Sequence, residues 1–290
     1  TEVLPGGAAV IGGFMRRLSV LSREGCAQHG VAAANVLEGG FQRFWPQIST
    51  QPSRGGNIVG GAVADELIKS GGLIESQSVE ATVMFTDIEG FSRLSETMEP
   101  ELLTSRLSRY FEVLGTAISG NRGMIDKYIG DSIMAFWNAP ELDPDHIANA
   151  CRAALQAAAA GQRLAGKWRA LGRPGFRTRF GLHTGPAVVG NVGARERINY
   201  TLVGQVANQA SRLEGMNKVY GTEILASGEI AVPTSESFVW RHIDRVVAMG
   251  TTEQLDVYEP LGEANARAEH AAFLVEWEAA RALYVEGRFE

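Results

Sequence analysis

Cysteine is nearly missing from this chain. Cys26 and Cys151 are the two thiols in 290 residues, far apart and in no recognisable spacing. A disulfide framework is excluded, and a reducing, cytoplasmic compartment fits. Long apolar runs are also missing, since none reaches the roughly 18 residues that cross a bilayer. Residues 7–15 (GAAVIGGFM) are too short, and Arg16 and Arg17 follow at once. No basic stretch precedes them, so they make a poor signal peptide. They read as the end of an upstream span in a fragment that starts at Thr1, which leaves membrane attachment to sequence not given. An excess of positive charge is absent as well, with a net charge of −6 and a pI of about 5.5. That excludes a general nucleic-acid binder, and an anionic substrate needs a local basic cluster. The five His residues have no metal-ligand spacing, and there is no Ser–His or Cys–His arrangement. Internal repeats and low-complexity segments are lacking too. What remains is 45% hydrophobic and 21% charged, with 34 Gly and 10 Pro. This is an ordinary globular balance for one or two domains.

The first 76 residues carry no sensor pattern. Residues 1–44 read as loosely helical, 44–56 as a Pro/Ser/Gly-rich linker, and 62–70 as a short helix. From residue 79 the signals sharpen. Val79, Ala81, Val83 and Phe85 alternate with more polar neighbours, which is the period of a strand ending at Asp87. Pro100 opens a helix with an apolar stripe from Leu103 to Ile118. MIDKYIGDSIMAFW is a hairpin broken at Gly130-Asp131, and 145–170 is a second amphipathic helix. Strands are predicted at 176–184, 186–193 and 200–204, followed by a helix at 205–218. Short strands near 222–226, 238–243 and 254–259 precede a C-terminal helix over 264–287. The expected fold class is an α/β (α+β) sandwich with helices packed on a mixed sheet.

Two acids occupy special places. Asp87 ends a buried strand, and Asp131 sits in the tight hairpin turn. Adjacent strand ends can bring both carboxylates to one sheet edge. With a backbone carbonyl they make a hard-oxygen site suited to Mg²⁺, which leaves room for phosphate oxygens. Gly90 permits close backbone approach, and the N–H groups of the helix start after it (Phe91, Ser92) can receive a phosphate. The plainer reading makes Asp87 a helix cap and Asp131 a turn former. Along 205–218, Val206, Ala210 and Leu213 share one face while Asn208 and Arg212 share the other. The polar face is either simply solvated or placed to stabilise charge on a phosphoryl group. Lys127 lies in an apolar run, where a charge needs a partner or must snorkel from an edge strand.

FTDIEGFSRLSE (85–96), DKYIGDSIMAFWNAP (126–140), GLHTGPAVVGNVG (181–193) and YTLVGQVANQASRLE (200–214) together resemble the four motif blocks of class III nucleotidyl cyclases. The resemblance covers about 77–262 with the blocks in family order, most like bacterial adenylate cyclases. It implies a ferredoxin-like catalytic domain over 77–262, preceded by a possible dimerising region over 1–76. Residues 263–290 would then be a C-terminal helix leading into missing sequence. It also implies that Asp87, Asp131 and the Ile88 carbonyl hold two Mg²⁺ ions, with Mn²⁺ as an alternative. Lys127 and Thr201 would read adenine, with Gly90, Phe91 and Ser92 beside the substrate phosphates. Asn208 and Arg212 would orient the ribose and stabilise the transition state. The implied reaction turns ATP into 3′,5′-cyclic AMP and pyrophosphate, in a head-to-tail homodimer with shared sites.

One stretch departs from the family. Met249 and Thr251 stand where phosphate-gripping lysines are expected, so either Arg241 or Arg245 is the expected substitute or ATP binds weakly. A catalytically silent cyclase-like module and a guanylate cyclase are the alternatives. The first is disfavoured because Asp87, Asp131, Asn208, Arg212 and Lys127 are all present, the second because Lys127 and Thr201 differ from the Glu and Cys typical of guanylate cyclases. A diguanylate cyclase is rejected because the hairpin reads YIGDSI.

Overall fold

The strand β1 runs Gln77–Ile88 through the middle of a mixed sheet, between β3 (Ser132–Trp137) and β4 (Thr178–Ala194). The computed structural model describes residues 75–194, 197–247 and 254–286, so the features expected within 1–74 lie outside it. Alternation in β1 is weaker than its sequence suggests, because both faces are covered. Ala81 and Val83 pack with Phe136, Val189 and Val206 on one side, while Met84 and Ile88 join Leu114 and Ala154 on the other. The polar residues between them are buried and satisfied. Thr82 bonds Thr184 at 3.1 Å and His146 at 2.8 Å, and Thr86 accepts the Ile133 N–H at 3.1 Å.

Helix α1 (Phe91–Thr97) follows β1, and α2 (Pro100–Gly120) starts with Pro at its first turn, where no N–H is needed. Antiparallel strands β2 (Met124–Ile129) and β3 then form the expected hairpin. Its two-residue turn puts Gly130 at φ 63°, a left-handed value that costs glycine nothing. Helix α3 (His146–Ala170) buries a small-residue face, including Ala150, Ala154, Ala157 and Gly161, which lets it lie close on its neighbours.

Residues 176–184 and 186–193 do not form two strands. They form the single long β4. Pro186 does not break it because it falls where β4 changes partners: Phe180–Leu182 pair with β6 (Ile224–Ser227), and Val188–Ala194 pair with β5 (Arg197–Val203). A missing N–H in that gap loses no ladder bond on that side. Helix α4 (Gln205–Tyr220) packs across β4 and β1. Gly181 makes this approach possible, since a Cβ there would lie 2.1 Å from the Ala210 carbonyl oxygen and from the Glu214 nitrogen. A short helix α5 (Gly228–Ala231) precedes β7 (Phe238–Val247) and β8 (Gln254–Glu263), completing the order β2-β3-β1-β4-β6-β8-β7. Helix α6 (Arg267–Val285) belongs to a separate unit. Among the described residues no helix is long and apolar enough to cross a membrane.

Candidate active site

Asp87 and Asp131 meet at one end of the sheet. The Ile88 N–H donates to Asp131 Oδ2 at 3.1 Å, and Ser132 Oγ donates to Asp87 Oδ1 at 3.2 Å. The hairpin turn is thus tied to the end of β1, with the Ile88 side chain anchored in the core. Burial and the neighbouring Asp87 charge push the Asp131 carboxyl up to about 7. Two acids crowded in this way favour a cation between them. Among the described residues no group of three or more His, Cys, Asp or Glu is arranged for a metal. Two carboxylates and a carbonyl nevertheless fit Mg²⁺, which keeps waters and shares substrate oxygens.

A third and a fourth charge complete the cluster. Arg179 faces Asp87 across the β1–β4 ladder, and its guanidinium donates to Asp87 Oδ2. Its Nε also lies 2.9 Å from Glu214 Oε1 on α4, at an angle that makes an ion pair rather than a hydrogen bond. Burial and the Asp87 charge push Glu214 up to about 8 against the pull of Arg179. Neither residue stands out in the sequence. Arg179 reads there as one more polar position in FRTRFGLHT, and its place opposite Asp87 depends on register.

The second constellation joins β2 to β5. Lys127 Nζ donates to Thr201 Oγ1 at 3.1 Å, and Thr201 in turn donates to Asp126 Oδ2 at 2.6 Å. Lys127 is therefore partnered, although its side chain stays 40% exposed, and Thr201 is 7% exposed beneath it. The structure brings these predicted residues together.

Asn208 and Arg212 lie on α4, the helix that also carries Glu214. Asn208 is exposed, and the half-buried Arg212 reaches Gln209 at 3.5 Å, while the acids pair with Arg179. Gly90 adopts φ 71° at the start of α1, where Arg93 and Leu94 donate to its carbonyl. Phe91 turns its ring onto Phe176, so a phosphate would meet its backbone, and Ser92 is exposed. The expected substitutes for a phosphate-gripping lysine are already engaged. Arg241 is buried against Glu259, and Arg245 donates twice to Asp256, at 2.9 and 3.1 Å. Arg179 is the guanidinium beside the acids. Met249 and Thr251 lie outside the described residues.

A sheet of this order with paired acids at a strand end and a hairpin turn defines a nucleotidyl cyclase catalytic fold. Residues 74–256 match the family described as the adenylate and guanylate cyclase catalytic domain, and the chain belongs to it. It is 45% identical over 187 residues to "Adenylate cyclase 1" of Rhizobium meliloti (strain 1021), covering 64% of this chain and 28% of that protein. It is 36% identical over 189 residues to "Adenylate cyclase" of Anabaena cylindrica, covering 61% of this chain and 36% of that one. The chain thus spans about a third of the length of these relatives. Among solved structures it resembles the adenylyl cyclase CyaB from P. aeruginosa, with a TM-score of 0.61 and 31% identity over 65% of this chain and 96% of that one. The guanylyl cyclase Cya2 shares the fold, with a TM-score of 0.61 and 24% identity over 66% of this chain and 95% of that one.

Proposed function

We propose that residues 77–262 form an adenylate cyclase domain that converts ATP to 3′,5′-cyclic AMP and pyrophosphate in a signalling pathway. The observation that carries this reading is the Lys127–Thr201 pair at 3.1 Å. Adenine offers a ring nitrogen that accepts and an amine that donates, which matches an ammonium beside a hydroxyl. Guanine offers the reverse pattern. The named relatives from Rhizobium meliloti and Anabaena cylindrica support the same choice.

Asp87, Asp131 and the Ile88 carbonyl would hold the divalent cations, Mg²⁺ or Mn²⁺. When bound, such ions lower the pKa of the ribose 3′-hydroxyl and neutralise the triphosphate. Arg179, which a bound cation would displace from Asp87, would then turn its planar fork to phosphate oxygens. The backbone N–H groups at Phe91 and Ser92, after Gly90, face the same task. Asn208 orients the ribose, and Arg212 meets the charge that builds at the α-phosphate as the 3′-oxygen attacks in line. Within one chain Arg179, not Arg212, pairs with the acids. We therefore assign Asn208 and Arg212 to the site of a second copy, in a homodimer with shared sites. Exposed Val188, Val192 and Val203 on the β4–β5 hairpin suit such an interface.

The test is product identification by chromatography after incubating the purified domain with ATP or GTP and Mg²⁺ or Mn²⁺. Cyclic AMP from ATP, well in excess of cyclic GMP from GTP, is the expected result. Cyclic GMP in excess would convert the assignment to a guanylate cyclase, and no cyclic product would make the domain a silent module.

A further inference from the structure

We propose that Asp126 is a positioning residue that fixes Thr201 as a hydrogen-bond acceptor and thereby sets the preference for adenine over guanine. The proposal rests on the adenylate cyclase reading above and deepens it.

The argument starts from the ambivalence of a hydroxyl. Thr carries one O–H donor and two lone pairs, so by itself it can donate to guanine O6 as readily as it accepts from the adenine amine. A threonine alone therefore reads neither base. What removes the ambiguity is a neighbour that claims its proton. Asp126 does so, with its Oδ2 2.6 Å from Thr201 Oγ1.

Local backbone geometry explains how two consecutive residues reach the same partner. In a regular strand residues 126 and 127 would point to opposite faces. The β2–β3 register shifts between Ile125 and Lys127, leaving Asp126 as the extra residue of a bulge. A bulge re-aims side chains. Here it turns Asp126 and Lys127 towards the same threonine on β5.

Asp126 is a dedicated acceptor in this setting. Its side chain is 2% exposed, and Lys127 Nζ lies 3.5 Å from Oδ1. The Leu202 N–H also donates to it. Burial raises its pKa above the ordinary value, while Thr201, Lys127 and Leu202 act in the opposite direction. Surrounded by donors, the carboxylate accepts the hydrogen bond of the threonine O–H and leaves the Oγ1 lone pairs facing Lys127. An incoming base takes the place of that ammonium contact. The adenine amine then donates to Thr201 while Lys127 donates to the ring nitrogen. Guanine would set O6 against lone pairs and an N–H against the ammonium, two unpaired contacts that the site cannot relieve by rotating a hydroxyl.

The experiment measures kcat/KM for ATP and for GTP in the wild type, Asp126→Ala, Asp126→Asn, Thr201→Val and the double variant Asp126→Ala/Thr201→Val. Thermal melting is followed in parallel. The ATP:GTP ratio is expected to fall at least about tenfold in Asp126→Ala, since losing one oriented hydrogen bond is of that order. Asp126→Asn keeps the side-chain size and is expected to lower the ratio in the same direction, so it decides the matter should Asp126→Ala fail to fold. In the Thr201→Val background the alanine change is expected to move the ratio less than about threefold, because the group it acts through is gone. Equal losses for both nucleotides, with the ratio unmoved, would overturn the proposal. So would an undiminished effect without the Thr201 hydroxyl. A wild type that cyclises neither nucleotide would instead defeat the adenylate cyclase reading itself.

Discussion

Glu214 on α4 holds the Arg179 guanidinium of β4 at 2.9 Å, and the same guanidinium pairs with Asp87. One cation is thus shared between the acid proposed to hold metal and the helix that carries Asn208 and Arg212. The helix that would serve a partner's site is tied to the site of its own chain.

Removing that cation leaves Asp87, Asp131 and Glu214 facing one another. Arg179→Met is expected to cost about 3 kcal/mol, the low end for breaking a buried pair, because the Asp87 side chain keeps 27% exposure. Divalent cations should restore part of the loss by taking the place of the guanidinium beside the acids. Urea unfolding with and without Mn²⁺ checks this. A loss under about 1 kcal/mol, indifferent to Mn²⁺, would contradict the shared-cation account.

Close approach at Gly181 is a separate and sharper constraint. Gly181→Ala places a methyl group 2.1 Å from α4 backbone atoms, which cannot rotate away. Stability should fall by about 1–3 kcal/mol or more, and turnover by more than about tenfold as α4 shifts. Gly166→Ala is the control, since nothing lies within 4 Å of that Cβ. It should be neutral or stabilising by about 0.5–1 kcal/mol. Equal behaviour of the two variants in melting and turnover would refute the role given to Gly181.

The raised carboxyls give a pH signature. Asp131 near 7 and Glu214 near 8 hold their protons more tightly in the folded chain than ordinary carboxylates do. At these two groups the folded state therefore binds more protons than the unfolded one between about pH 4 and 8, so their contribution to stability falls as pH rises, against the opposite slope from the buried His146 and His183. Bound divalent cations reverse the trend, because they favour the deprotonated acids. In chelator the melting temperature of the wild type relative to Asp131→Asn should drop between pH 5 and pH 8, and the gain from added Mg²⁺ should be larger at pH 8. A gain that does not change with pH would show that the cation acts elsewhere.

Much of this arrangement is legible in the sequence. Asp87 and Asp131 stand out because a strand end and a glycine turn are local features. Lys127 stands out as a charge in an apolar run. The residues that escape notice are those placed by tertiary geometry. Arg179 gains its meaning from the pairing with Asp87, and Glu214 from the closeness that Gly181 allows. Asp126 looks like an ordinary strand acid until the bulge turns it towards Thr201. The continuity of β4 through Gly185 and Pro186 is hidden for a similar reason, since only the change of partner strand makes a proline tolerable there.

The central claim is that each site draws its acids from one protomer and Arg212 from the other. Mixing Asp87→Ala with Arg212→Ala, each inactive alone, tests it most directly. Random exchange yields heterodimers with one intact site, so cyclic AMP synthesis should return to roughly a quarter of the wild-type rate, because half the dimers are mixed and each has one of two sites. No recovery, with subunit exchange verified by differential tagging, would contradict the account.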